Sequence, residues 1–210
     1  MLLDLSITIS LSLCLLCFCG ANLYNFKRHG TNKRAKKYKA EVERPRGLIF
    51  TLSALGTLVF FLESLFYILV VFAGLQTVLR NSFLQLQFPF DSWVQIAGIL
   101  ITAFGYFLFI WSVLARGQYA TSWEMPRDQK LVTWGPYRYV RHPSYLAYFI
   151  LFIGLFLILL NLIALIPLIA VPGYLHIATV EEKLLVKRFG EAYIEYRDAT
   201  GKIFPKIKKS

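Results

Sequence analysis

The fold class this sequence predicts is all-α: a polytopic membrane protein of about five crossings, closed by an amphipathic C-terminal helix. Three observations lead there. Of its 210 residues 57% are hydrophobic, against about 45–50% in a soluble globular chain. Those residues come in blocks about 20 long, the length of a helix that crosses the hydrocarbon core. Lys and Arg bring the net charge to +11 and gather just outside the blocks.

Residues 2–26 form the first predicted span. Asp4 precedes its apolar run, and Lys27, Arg28, Lys33, Arg34, Lys36, Lys37 and Lys39 follow it. That order is the reverse of a cleaved signal peptide and reads as an anchor with the N-terminus outside. A basic loop covers 27–46, with Pro45 near the start of the next helix. The second span, 48–79, is longer than a crossing needs and is expected to tilt or break near Gly74. It carries Glu63, expected to be a buried partner for a Tyr or Ser.

A short loop at 80–92 leads to the third span, 93–115. Its Gly98 and Gly105 lie seven apart and invite close approach of another helix. The polar loop 116–142 follows. The apolar run after it is too long for one crossing, so it predicts a tight hairpin of 143–160 and 162–180 joined at Asn161. Pro167 and Pro172 predict a kink or a locally freed carbonyl in the second arm. From 181 onward Leu185, Phe189, Tyr193 and Tyr196 share one helical face, and Gly201 and Pro205 end the helix.

The loops at 27–46 and 116–142 and the tail are all basic. The positive-inside rule therefore puts them, and the polar residues they carry, on the cytoplasmic side. The basic charge answers to anionic headgroups rather than nucleic acid, so membrane lipids are expected partners. Cys14, Cys17 and Cys19 all lie inside the first span with no His or acid nearby, which reads as helix packing. No metal site is expected.

Two polar islands remain. In Arg141-His142-Pro143-Ser144-Tyr145, proline disfavours a helical His142 and pre-sets the first turn of the fourth span. His142 then stands at a helix mouth, where free N–H groups and the dipole suit a carboxylate. The second island is Glu181-Glu182. Neither acid has a cation three or four residues on, so each needs another partner. A cationic or hydroxyl-bearing ligand would serve, and so would a long-range pair with Arg138 or Arg141. There is no P-loop, GxSxG, HExxH or GxGxxG fingerprint, and a soluble dinucleotide domain is excluded.

The stretch LVTWGPYRYVRHPSY at 131–145, then EEKLLVKRFGEAYIEY from Glu181 and TGKIFP from Thr200, resembles the isoprenylcysteine carboxyl methyltransferases and related membrane phospholipid methyltransferases. The similarity runs from about Gly98 to Pro205 and is nearest to their short archaeal and bacterial members. It implies an enzyme region at 93–210, with a cytoplasmic pocket for S-adenosylmethionine, behind a two-span region at 1–92. Position by position it implies cofactor contacts at Gln129, Lys130, Leu131, Val132, Tyr137, His142, Pro143, Ser144, Tyr145 and Glu181, with Ser122 as a further one. Arg141 and Glu182 are the expected catalytic residues. The acceptor would be lipophilic, a prenylated substrate or a small lipid such as a phospholipid.

Eukaryotic prenylcysteine-methylating relatives carry arginines where this chain has Ile177 and Leu108, a departure that bears on the acceptor. A nicotinamide-dependent membrane reductase would need added basic residues for a 2′-phosphate. A transporter or scaffold would string charges through several spans, whereas here they gather at one edge.

Overall fold

The structure, a computed structural model, describes residues 2–31, 47–117 and 130–206. Its helices are α1 (Leu2–Thr31), α2 (Leu48–Phe72), α3 (Gln76–Arg80), α4 (Asp91–Arg116), α5 (Pro143–Leu159), α6 (Ala170–Phe189) and α7 (Glu191–Ala199). Two 3-10 segments, Gly135–Arg138 and Leu162–Ile169, complete the described helical elements. Among the described residues, four stretches are long and apolar enough to cross a membrane: Asp4–Lys27, Leu48–Phe72, Asp91–Arg116 and Leu162–Phe189. The apolar α5 has 17 residues, at the lower limit of a crossing.

The bundle is assembled around its most extensive helix pair, α4 against α5. A Cβ on Gly98 would come within 2.8 Å of the Ile158 backbone nitrogen, and one on Gly105 within 2.8 Å of Leu151 Cγ. On the facing side a Cβ on Gly154 would strike Thr102. The two expected glycines and this third one let the backbones approach to where dispersion contacts accumulate. α6 lies against α2, and α1 packs on α4 and α2. Phe60, Phe152, Leu155 and Ile177 form the buried centre. Outward, large apolar side chains such as Leu16, Phe66, Phe104 and Phe107 stay exposed, as a lipid-facing surface requires.

The second span ends as anticipated. α2 stops at Phe72, Gly74 takes a left-handed φ of 71°, and α3 follows as a separate short helix. The hairpin apex is Leu160-Asn161. Leu160 is left-handed at φ 48°, and the Asn161 side chain accepts from the Ile163 N–H. The loop after α3 clamps this apex, with Leu86 N–H donating to Leu160 O and Leu162 N–H to Leu84 O.

Three expectations change. The prolines of the second arm alter the helix type: Leu162–Ile169 winds as a 3-10 helix around Pro167 before α6 begins. The amphipathic tail is not one helix, because Gly190 at φ 55° breaks it into the end of α6 and the nine-residue α7. Glu63 does not pair with a Tyr or Ser: both its carboxylate oxygens are buried without a hydrogen-bond partner. The hydroxyls near it are committed elsewhere. Ser64 donates to Phe60 O in its own helix, and Tyr67 reaches Asp4.

Cys14 is half-buried against the core, whereas Cys17 and Cys19 are exposed on the outer face of α1.

Gly154→Leu should lower the thermal unfolding midpoint in detergent, at a cost of about 1–3 kcal/mol for overpacking. An unchanged midpoint would mean that α4 and α5 are not this close.

Candidate functional site

The site is built where α5 starts. Pro143 occupies its first turn, and His142 precedes it at φ −124°, ψ 61°, outside the helical region as a residue before proline must be. The strand-like stretch before it is held by the tail. Arg141 N–H donates to Gly201 O at 2.9 Å, His142 N–H to Lys202 O at 3.1 Å, and Gly201 N–H to Tyr139 O at 3.2 Å. Gly201 must be glycine, since a Cβ there would collide with the Phe204 carbonyl oxygen. Tyr196 of α7 adds a bond from its hydroxyl to Tyr137 O at 2.7 Å.

The two acids, adjacent in sequence, part company. Glu182 turns to Arg141, whose Nε donates to its Oε1 at 2.7 Å, and His142 Nε2 lies 3.3 Å from the same oxygen. Arg141 also donates from Nη1 to the Arg197 and Thr200 carbonyls, so its guanidinium ties α6 to the tail. Glu181 accepts from the Tyr145 hydroxyl at 2.9 Å and has its other oxygen 3.5 Å from His142 Nδ1. Arg141 and His142 are 8% and 7% exposed, Glu181 28%. Water reaches Glu181 and hardly reaches the pair behind it.

Burial works against a charged His142. The bonds and charges of Glu181 and Glu182 outweigh it and hold the imidazolium above the usual histidine range.

In front of this cluster lies a cavity of about 470 Å³, within the range of small-molecule sites. His142, Ser144, Tyr145 and Glu181 line it from α5 and α6, and Tyr137 and Arg141 from the approach to α5. An aromatic row backs it. His142 stacks on Tyr145 at 5.4 Å, and Tyr174 lies 4.9 Å from Tyr145 and 5.3 Å from Tyr148. Asn22 of α1 and Thr57 of α2 complete the wall, Thr57 hydrogen-bonded to the Tyr174 hydroxyl at 2.6 Å.

Of the sequence-derived site residues, six thus meet on this cavity. Pro143 is buried as the helix starter, and Glu182 stands behind His142. Lys130 is exposed and Val132 buried, and neither they nor Leu131 line the cavity. Gln129 and Ser122 lie outside the described residues. His176 is exposed on α6. The free helix-start N–H groups are partly used up, because Tyr145 and Leu146 both donate to the His142 carbonyl.

Arg116 was missed. It ends α4, lines the cavity, and has a buried Nε with no hydrogen-bond partner. Its only sequence signal is its place as the first cation after a long apolar run.

Residues 93–192 match the model of the phospholipid methyltransferase family. Curated relatives include protein-S-isoprenylcysteine O-methyltransferases. That of Tribolium castaneum is 28% identical over 166 residues, 76% of this chain and 52% of the relative. That of Saccharomyces cerevisiae is 42% identical over 82 residues, 38% and 34%. The human one is 31% identical over 122 residues, 56% and 43%. The chain spans about half the length of these relatives, or less. A solved structure of the eukaryotic intramembrane Ras methyltransferase ICMT aligns with TM-score 0.49 and 26% identity, over 75% of this chain and 52% of that one.

Arg141→Met should cost about 1.5–3 kcal/mol, since it takes a charge-assisted bond from the largely buried Glu182 and leaves it His142 as partner. Arg141→Met with Glu182→Leu should recover part of that loss; a double variant as unstable as the single one would contradict the pairing. A raised His142 value adds stability below the unfolded histidine range and loses it as pH climbs through the folded value. The unfolding midpoint should therefore fall as pH rises past that range, and His142→Gln should flatten the fall.

Proposed function

We propose that this chain, whose residues 93–192 belong to the phospholipid methyltransferase family, is an integral membrane methyltransferase. It takes its methyl group from S-adenosylmethionine and passes it to a lipophilic acceptor, in the manner of isoprenylcysteine carboxyl O-methyltransferases. The observation that carries this reading is the single cavity on which His142, Tyr145, Glu181 and Arg116 converge.

The residues fit that cofactor. Arg116, with an unpaired buried Nε, suits its carboxylate, and Glu181 suits its ammonium or ribose hydroxyls. The Tyr145 face suits a purine or a sulfonium, and the His142 ring suits a purine. When bound, S-adenosylmethionine supplies an electrophilic methyl group on a positively charged sulfur. This chain's part is to hold the acceptor in line with that methyl and to keep water out, for which alignment matters more than strong acid or base.

Arg141 and Glu182, expected to be catalytic, act on this reading as positioning residues. Their donors and acceptors are spent on each other, on His142 and on the tail. Together they fix the imidazole and tie the tail to the base of α5. A carboxylate acceptor needs no general base near neutral pH, whereas an amine would have to lose a proton. Glu181, already near water, is then the better-placed base.

Asn22 and Thr57 carry the cavity wall onto α1 and α2, which supports sideways entry of the acceptor from lipid. The basic flanks support a cytoplasmic position for this end and an outer one for the N-terminus. One observation favours a second acceptor class. Leu108 and Ile177, where eukaryotic prenylcysteine-methylating relatives carry arginine, are buried apolar residues here. A phospholipid amine or another small lipid then replaces the prenylcysteine carboxylate on the same cofactor site.

Calorimetry on detergent-purified protein should show S-adenosylhomocysteine binding and no NADPH binding. Glu181→Ala and Tyr145→Phe should each weaken it about tenfold or more, the worth of a hydrogen bond to a charged group. NADPH binding alone, or silence for both ligands, would refute the reading. Transfer of labelled methyl to a prenylcysteine or to an aminophospholipid then separates the acceptors.

A further inference from the structure

We infer that the opposite end of the bundle holds a second binding site, shaped for a primary ammonium group. Asp4 and Asn25 both lie on α1, 21 residues apart, or about 30 Å along the helix. Asn25 lines the cavity described above, and Asp4 lines a separate one of about 100 Å³. Nothing in the methyl-transfer reading uses the second cavity.

Its chemistry is one-sided. Both carboxylate oxygens of Glu63 and the Gln76 Oε1 are buried and have no hydrogen-bond partner. Three amide donors on the same wall are already committed. Gln85 Nε2 donates to Leu159 O at 2.9 Å, and Gln95 Nε2 donates to Ile158 O at 2.8 Å. The Asn161 amide points to Gln85 Oε1 at 3.4 Å. Arg80 is held two-fold by Asp4, with Nη2 at 2.8 Å from each oxygen.

Asp4 and Arg80 pair with each other, and Glu63 is the remaining acid on the wall. The unused capacity is therefore three acceptor atoms, two of them on one carboxyl group. Leaving such groups unmatched away from water costs several kcal/mol.

A primary ammonium answers this demand on each count. It brings one positive charge and three N–H donors, and bonds of this kind are the strong, charge-assisted ones. A quaternary ammonium brings the charge without the donors. A cavity of this volume takes an ammonium and a short stem, with Phe66 and Tyr67 as apolar wall for the methylenes. It does not take a nucleoside. The ammonium could belong to an aminophospholipid headgroup or to a free amine.

The test uses the whole purified chain in detergent, titrated with phosphatidylethanolamine, phosphatidylcholine of the same acyl chains, and ethanolamine, with occupancy read by native mass spectrometry and calorimetry. Phosphatidylethanolamine should bind about tenfold or more tightly than phosphatidylcholine, a difference of one charge-assisted bond or more. Glu63→Gln, which keeps the shape and removes the charge, should erase that preference, and Gln76→Leu should reduce it.

Ethanolamine binding as tightly as the lipid would support the site and assign it to a free amine. Lipid binding alone would support it and assign it to a headgroup. Equal binding of the two lipids, with no ethanolamine binding, would overturn the proposal. So would a preference unchanged in both variants while their unfolding midpoints match the wild type. No arm needs methyl transfer or cofactor binding, so failure here is distinct from failure of the proposed function.

Discussion

The buried cluster of Arg141, His142, Glu181 and Glu182 is the interaction on which the rest of this structure depends. It joins the start of α5 to the far half of α6, about 40 residues on, and then to the tail through the Arg197 and Thr200 carbonyls. Charges taken out of water must be paired and hydrogen-bonded, or the cost exceeds the attraction. Here each charged group meets at least one opposite partner, so the segments that carry them cannot move independently. The start of α5, the far half of α6 and the tail are thereby held together, and the cavity is the space in front of the two helices.

Much of this was legible beforehand because lipid imposes strict rules. A backbone in hydrocarbon must be helical, so apolar block lengths report crossings directly. Asn161 marked the hairpin because a single polar residue in so long an apolar run has to sit at an apex. Gly98 and Gly105 predicted close packing because only hydrogen fits where Leu151 and the Ile158 backbone press in. His142-Pro143 announced a helix start through a steric rule that depends on two residues alone.

What was not legible depended on distant partners. Adjacent glutamates look alike in sequence, yet Glu182 faces a guanidinium that is 41 residues away in the chain and Glu181 faces a ring and a cavity. Arg116 reads as an ordinary loop cation until α4 is seen to carry it into the cavity wall. A helical projection assumed an unbroken tail, and Gly190 at positive φ broke the register of its apolar face. Glu63 seemed to have hydroxyls within reach, but their bonds were already made by Ser64 to its own helix and by Tyr67 to Asp4. In each case the deciding fact was competition for a partner, which local pattern does not encode.

The two ends of the bundle thus differ in kind. One gathers paired charges behind an aromatic row beside a mixed cavity, and the other sets the Asp4–Arg80 pair beside unpartnered acceptors. The central claim is that His142 and Glu181 act as a unit in gripping a nucleoside-bearing methyl donor. A double-mutant cycle on S-adenosylhomocysteine affinity, with His142→Gln, Glu181→Gln and both together, tests it most directly. The account predicts a coupling of about 1 kcal/mol or more, the range for residues in one hydrogen-bonded network. Strictly additive losses, or none, would contradict it.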